Sequence, residues 1–499
     1  MLDRIRRLGS DTAVYGVSTI VGRFLTFLLT PVYVNFLARE EFGWVAYLYA
    51  CIGFAGVVYA YGMESAYLRF AAAREIGDER QNFTVPFLSV AATALAFSLL
   101  LTVFADDCAR LLGLPEGSGG LVTMGAWILA LDAMTLVPFA ALRLERKARR
   151  FAAIRLATIT VNVGLAVLFL VPLGMGIRGV FLANLAASAA SLALLAPTIA
   201  ARLTPAWHRE LHRALLTFAL PILPQGLAAM MLQVVDRPIL LALTDPGTVA
   251  VYQANYRLGI FMMLVVQMVD FAWRPFYLTH AKDPDARPMF ARVLTYVVAM
   301  MAFVFLGVGF FVGDLVRLPL LFGRPLLTEP YLAGLPIVPV VMLGYLFLGC
   351  SNVFTAGIHI EKRTHLLPGI TLAGALLNVA ANYLLIPRLG IMGAALATLV
   401  SYAVMALLAF LIVRRFYPVP YEWSRLAKLA AATAAAWLLF LVRPAPVAPA
   451  LWGLALLLLF AGLLALMRFF RRDELHALRA VFDRRSGGGT SAPSEPPAA

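Results

Sequence analysis

Acidic side chains are scarce in this chain. Asp and Glu number 27 against 41 Lys and Arg, and charged residues of all kinds make up 14% of the 499. Water-soluble domains carry about 25%, so a soluble globular protein is excluded. Cysteine is rarer still. Cys51, Cys108 and Cys350 stand far apart with no CxxC or Cys/His spacing, which leaves neither a disulfide framework nor a zinc site. No P-loop, HExxH, GxSxG or EF-hand pattern occurs. ATP hydrolysis, metallopeptidase and serine-hydrolase chemistry are therefore not expected, and neither is any cofactor. Long polar loops are missing too: the longest outward-facing one, 314–330, is too short to hold a folded domain. That argues against a membrane polymerase or ligase, which would need a large external loop for its chemistry.

Apolar sequence is what the chain has in abundance, with 62% hydrophobic residues and a mean hydropathy of +0.84. About 20 apolar residues span the hydrocarbon core as a helix. Runs of that order recur near 12–37, 42–62, 83–104, 119–141, 151–173, 178–200, 213–243, 247–271, 289–313, 331–355, 366–386, 391–413, 425–442 and 447–467. Fourteen spans put both termini on one side. The first run is too long for a cleaved signal peptide and lacks a small-residue cleavage site, so it is expected to remain in place.

The positive residues decide which side. The N-terminus, alternate loops and C-terminal tail hold 31 of the 41 Lys and Arg, and the intervening loops hold 8. Short loops obey the positive-inside rule, so both termini are expected in the cytoplasm. The net charge of +14 is then a topology signal, and nucleic acid is not an expected partner. The densest basic block, 143–150, suits anionic lipid headgroups. After the last span, 468–485 reads as a basic surface helix and 486–499 as a disordered Gly/Ser/Pro/Ala tail.

The chain also repeats itself. Gly176, Ile177, Gly179, Leu182, Ala183 and Leu185 recur as Gly390, Ile391, Gly393, Leu396, Ala397 and Leu399. Leu37, Ala38, Gly43, Val45, Ala46 and Ala50 recur as Leu241, Ala242, Gly247, Val249, Ala250 and Ala254. Six spans separate the copies, so the halves share one orientation and a parallel repeat follows, related by an axis along the membrane normal. The expected fold is an all-α integral membrane protein of about fourteen helices. It comprises a six-helix bundle at 1–200, a second at 201–415, two further helices in 416–467 and a cytoplasmic segment at 468–499. Substrate sites in such repeats lie between the halves near the midplane.

Polar groups inside the spans mark the candidate site. Thr12, Gly16, Thr19, Arg23, Thr26 and Thr30 share one face of the first span. A charge at such depth costs about 3 kcal/mol on insertion scales, so Arg23 is expected to face a wet interior. Arg257 lies about ten residues into the eighth span, with Gln253 and Gln267 on its side. Span seven offers Gln225, Gln233 and Asp236, and its Pro221 and Pro224 permit a bend. Candidate substrate contacts are Arg23, Arg257, Gln253, Gln233, Thr26 and Thr19. Asp236 is placed to pair with Arg257 or to act in gating or coupling, and Asp132 of the fourth span to bind a proton or cation or to partner a cavity arginine.

Several stretches resemble the bacterial polysaccharide transport family, the Wzx-type flippases of the multidrug/oligosaccharidyl-lipid/polysaccharide exporter superfamily. They are Tyr15-Gly16, Arg23, Thr30-Pro31-Val32-Tyr33, Leu37 to Gly43, Gly62 to Ala66 with Arg69-Phe70, and Ala254-Asn255-Tyr256-Arg257. The resemblance implies two six-helix bundles around a central cavity, alternating access, and transport of undecaprenyl-diphosphate-linked oligosaccharide from the cytoplasmic to the outer leaflet of the inner membrane. It implies Arg23 and Arg257 as cavity arginines, and the lipid-linked oligosaccharide, membrane lipids and the polymerase and glycosyltransferases of the same pathway as partners. A lipid II-type flippase and a multidrug cation antiporter of the same superfamily are the alternatives, and cavity arginines repel the antiporter's cationic cargo.

Overall fold

Apolar runs of this length have one stable answer in lipid: helices that satisfy every backbone hydrogen bond internally. The computed structural model describes residues 20–205, 207–319, 323–442 and 448–470, and every regular element among them is helical. Thirteen helices are long and apolar enough to cross a membrane. With the shorter apolar helix α1 (Ile20–Phe36) they are α2 (Arg39–Ala73), α3 (Glu79–Val103), α4 (Gly119–Leu144), α5 (Ala148–Leu170), α6 (Gly176–Ala200) and α7 (Arg209–Val234). The series continues with α8 (Pro246–His280), α9 (Ala286–Leu315), α10 (Ile337–Ile360), α11 (Thr364–Leu389), α12 (Ile391–Val413), α13 (Trp423–Leu441) and α14 (Pro449–Leu466). All fourteen expected spans have a counterpart. Thr12, Gly16 and Thr19 of the first span, the basic segment beyond residue 470 and the tail lie outside the described residues.

Two helices outrun their expected limits. α2 continues past Gly62, whose left-handed backbone (φ +75) joins it to Met63–Ala73, and α8 runs through a 3-10 turn at Arg257–Gly259. The bend in α7 falls where two prolines remove backbone donors: Leu220–Ile222 is a 3-10 turn. Before the turn, Leu211, Leu215 and Ala219 are fully buried against Tyr59, Met63, Phe70 and Val90 of α2 and α3. His212 there hydrogen-bonds Ser89 at 3.1 Å, and Ser89 bonds Tyr61 at 2.9 Å.

The repeat is visible in the backbone. Gly176 and Gly390, which match in the sequence, open α6 and α12 with φ of +57 and +55, a conformation open mainly to glycine. The pairs at the centre are also related: α2 packs on α7, with a β-carbon at Gly226 meeting Val57 at 2.9 Å, and α1 packs on α8 through Phe27 and Phe261, ring centroids 5.9 Å apart. A parallel two-fold that exchanges α1 with α7 and α2 with α8 turns one pair into the other.

The described residues form two compact units, 1–290 with 312–419 and 291–311 with 420–499. The first holds most of both repeat copies. In the second, Phe305 and Phe310 of α9 stack on Trp437 of α13 at 5.0 and 6.1 Å, and Glu422 accepts from Thr295 and Arg425 at 2.8 Å each.

Candidate functional site

Helices α1, α5, α8 and α10 surround a cavity of about 510 Å³ in the first unit. Four arginines line it: Arg23 from α1, Arg155 from α5, Arg237 from the short helix Asp236–Leu243 after α7, and Arg257 from the 3-10 turn of α8. Thr26 and Gln253 line it too, whereas no carboxylate is among its lining residues. Of the sequence-derived candidates, Arg23, Thr26, Gln253 and Arg257 are thus together. Gln233 lines an adjoining chamber, and Thr19 lies outside the described residues. Gln267 is not part of the lining; its Oε1 is buried without a hydrogen bond.

The arginines differ in how they are held. Arg23 has one polar contact, an Nη1 to the Met263 sulfur at 3.6 Å. Arg257 donates to the Thr30 hydroxyl at 3.2 Å and lies 5.8 Å from the centre of the Tyr33 ring. Neither meets an acid among the described residues. Arg237 is encased: it donates to Asp236 at 2.6 Å, to the Gln233 carbonyl at 2.6 Å and to Gln253 at 3.0 Å, and stands 4.2 Å over the Tyr256 ring. Asp236 is satisfied on its other oxygen by the Tyr252 hydroxyl at 2.5 Å. Arg155 sits 4.3 Å over Phe139, within electrostatic reach of Asp132, which bonds Ser188.

Two sequence expectations change here. Asp236 pairs with Arg237, not with Arg257. Adjacent helical residues do not normally face one another, but the Arg237 side chain folds back along its own helix, so that one Nη1 reaches both the Gln233 carbonyl and Asp236. Arg237 is consequently a buried residue rather than part of an outward loop. Arg155, which the charge tally groups with the cytoplasmic block, also lies in the cavity; Phe151, Arg155 and Ile159, one turn apart, all line it. That i, i+4 alignment is the signal that singles Arg155 out from its basic neighbours.

Where α2 and α8 begin, the two repeat copies meet. Arg39 donates to the Gly247 carbonyl at 3.0 Å, while within the second copy the Asn255 amide donates to the Tyr331 carbonyl at 2.8 Å. Asn35 donates to the Pro325 carbonyl at 2.9 Å, and Arg324 to the Asn35 carbonyl at 3.0 Å. All four acceptors are backbone carbonyls, so the contacts at this end form a latch onto the main chain.

Thirteen helices long and apolar enough to cross a membrane, with a polar cavity among them, define a multi-pass membrane protein. The family model for "Polysaccharide biosynthesis protein" matches residues 8–276, more than half of the chain, and the chain belongs to that family. Among solved structures it is similar to the lipid II flippase MurJ in an inward closed conformation, with a TM-score of 0.71, 13% identity, and 95% of this chain and 99% of that one covered. It is also similar to an inward-facing multidrug resistance MATE family transporter of the MOP superfamily (0.63, 15%, 79% and 94%). The Vibrio cholerae MATE transporter VcmN in the bent form is a third (0.57, 14%, 82% and 96%). At these identities the likeness establishes the fold. No curated protein sequence matches the chain.

Proposed function

We propose that this protein moves a diphosphate-linked saccharide on a lipid carrier, undecaprenyl-diphosphate-linked oligosaccharide, from the cytoplasmic to the outer leaflet of the bacterial inner membrane by alternating access. One observation carries the reading: a cavity among membrane-length helices lined by four arginines and no carboxylate. Asp236 neutralises Arg237, and Asp132 lies near Arg155, which leaves Arg23 and Arg257 as the two cavity cations without an acid among the described residues. Two fixed positive charges with planar hydrogen-bonding forks suit a diphosphate, whose charge must be matched if the headgroup is to cross hydrocarbon. The lipid tail stays in the bilayer.

In this reading residues 1–200 and 201–415 are the two moving halves. Arg23, Arg257, Gln253 and Thr26 contact the headgroup, and both termini are cytoplasmic. The latch where α2 and α8 begin then closes the outer face. The product feeds a surface polysaccharide (O-antigen, capsule or exopolysaccharide), with the polymerase and glycosyltransferases of that pathway as neighbours. A multidrug cation exporter fits poorly, because arginines without acids repel cations.

The test is the lipid pool of a strain deleted for the gene. The reading expects undecaprenyl-linked oligosaccharide to accumulate in the cytoplasmic leaflet with loss of surface polymer. An unchanged pool, with new sensitivity to organic cations, would replace it with the antiporter.

A further inference from the structure

The arginine cavity has a second chamber, of about 580 Å³, whose chemistry is different. The two share Arg23, Tyr256, Met263 and Tyr345, so those residues form a neck. The neck is fixed on one side by the Tyr345 hydroxyl donating to Tyr256 at 3.1 Å, and Arg23 meets Met263 across it. Beyond it the chamber runs among α7, α8, α10, α11 and α12, bounded by Gln233, Asn352, Thr371 and Tyr402 among others. Besides Arg23 its one charged lining residue is Arg274, and that charge is met by Asp270 at 3.0 Å. Beyond the neck the chamber is therefore close to neutral, where the first is cationic.

Its polar groups are also unspent. The Gln233 and Asn352 amides and the Tyr402 hydroxyl make no side-chain hydrogen bond to any described residue; only the backbone carbonyls of Gln233 and Asn352 are used. Thr371 donates to the Leu367 carbonyl and keeps its acceptor capacity. Gln233 is exposed and Asn352 half-buried, so both amides are open to water or a ligand. Amides that both donate and accept, together with tyrosine faces, are the complement of a sugar: hydroxyls on its rim and apolar C–H on its faces.

We propose that this chamber is the saccharide subsite, taking the first neutral sugars of the cargo while the arginine cavity takes its diphosphate. The inference rests on the function proposed above. The phosphate–sugar linkage then passes through the neck, which explains why Arg23 belongs to both chambers. The site disfavours sugars carrying free amines, since the unneutralised Arg23 stands at its neck and no carboxylate lines it.

The experiment uses the purified full-length protein and two probes, bare undecaprenyl diphosphate and undecaprenyl diphosphate bearing a neutral trisaccharide, with dissociation constants from native mass spectrometry. The wild type is expected to bind the glycosylated lipid about tenfold more tightly. The pair Gln233→Leu and Asn352→Leu is expected to erase that preference and leave the bare lipid's affinity unchanged, which also certifies folding. Asn352→Gln should restore part of the preference. Arg23→Ala should weaken both probes. If the Leu pair keeps the full preference, or the wild type shows none, the chamber is a water-filled recess and the subsite is wrong. If the wild type binds neither lipid, the function on which the subsite rests is itself overturned.

Discussion

Gly43 of α2 lies so close to the Pro246 carbonyl at the start of α8 that a β-carbon there would overlap it. Gly247, its counterpart in the repeat, lies against Arg39, where a β-carbon would come within 3.0 Å of Nε. Equivalent residues facing one another in this way are what a two-fold axis between the helices requires. In the alternating access proposed above this contact forms and breaks in every cycle, and glycine at 43 is what lets it form.

Gly43→Val is therefore expected to block closure at this end and cut transport at least tenfold, with the protein still inserted. Spin labels at Glu40→Cys and Thr248→Cys, with Cys51, Cys108 and Cys350 replaced, should report a longer distance in the variant. An unchanged distance with normal transport would mean that the contact is incidental.

Arg257→Lys should retain partial function, down about tenfold, because lysine keeps the charge and loses the planar two-point fork. Initial transport rates of reconstituted protein measure this. A variant that is inactive because it no longer folds would make Arg257 a structural residue.

The buried Asp236–Arg237 pair is expected to be structural. Asp236→Asn strands a buried guanidinium and should cost about 3–5 kcal/mol. Asp236→Asn combined with Arg237→Gln should recover much of that loss in thermal unfolding in detergent. A single variant as stable as wild type would return Asp236 to the list of coupling residues.

Asp245 caps α8, accepting from the Thr248 amide at 2.9 Å and from its hydroxyl at 2.5 Å. These bonds to Thr248, assisted by Arg39, hold its carboxyl below the ordinary range despite some desolvation. A depressed folded-state pKa gives stability that is present above the unfolded value of about 3.9 and lost only as pH falls through the folded value. Asp245→Ala should thus cost about 1 kcal/mol, evenly from pH 5 to 8, with the difference fading only in stronger acid. A penalty that varied between pH 5 and 8 would contradict this assignment.

The sequence carries the fold in plain view because hydrophobic length, loop charge and the glycine repeat each speak through many residues at once. Arg23 and Arg257 stand out for the same reason, as lone charges in apolar runs. Arg155 and Arg237 do not. Each lies within a few residues of a span end, where arginine is ordinary, and only the packing of α5 and of the helix Asp236–Leu243 brings them to the cavity. The partner of Asp236 was hidden by adjacency, since reading helices by i, i+3 and i, i+4 neighbours passes over i, i+1. The neutral chamber is less legible still: Gln233, Asn352, Thr371 and Tyr402 come from four helices, and only tertiary packing assembles them.

The most direct test of the central claim is leaflet-to-leaflet movement of undecaprenyl-diphosphate-linked oligosaccharide in proteoliposomes holding only this protein. Wild type should expose the lipid to an enzyme or lectin outside the vesicle, and the double variant Arg23→Ala, Arg257→Ala should fall to the protein-free rate. Equal movement by the double variant, or none by wild type while an organic cation is transported, would contradict the account.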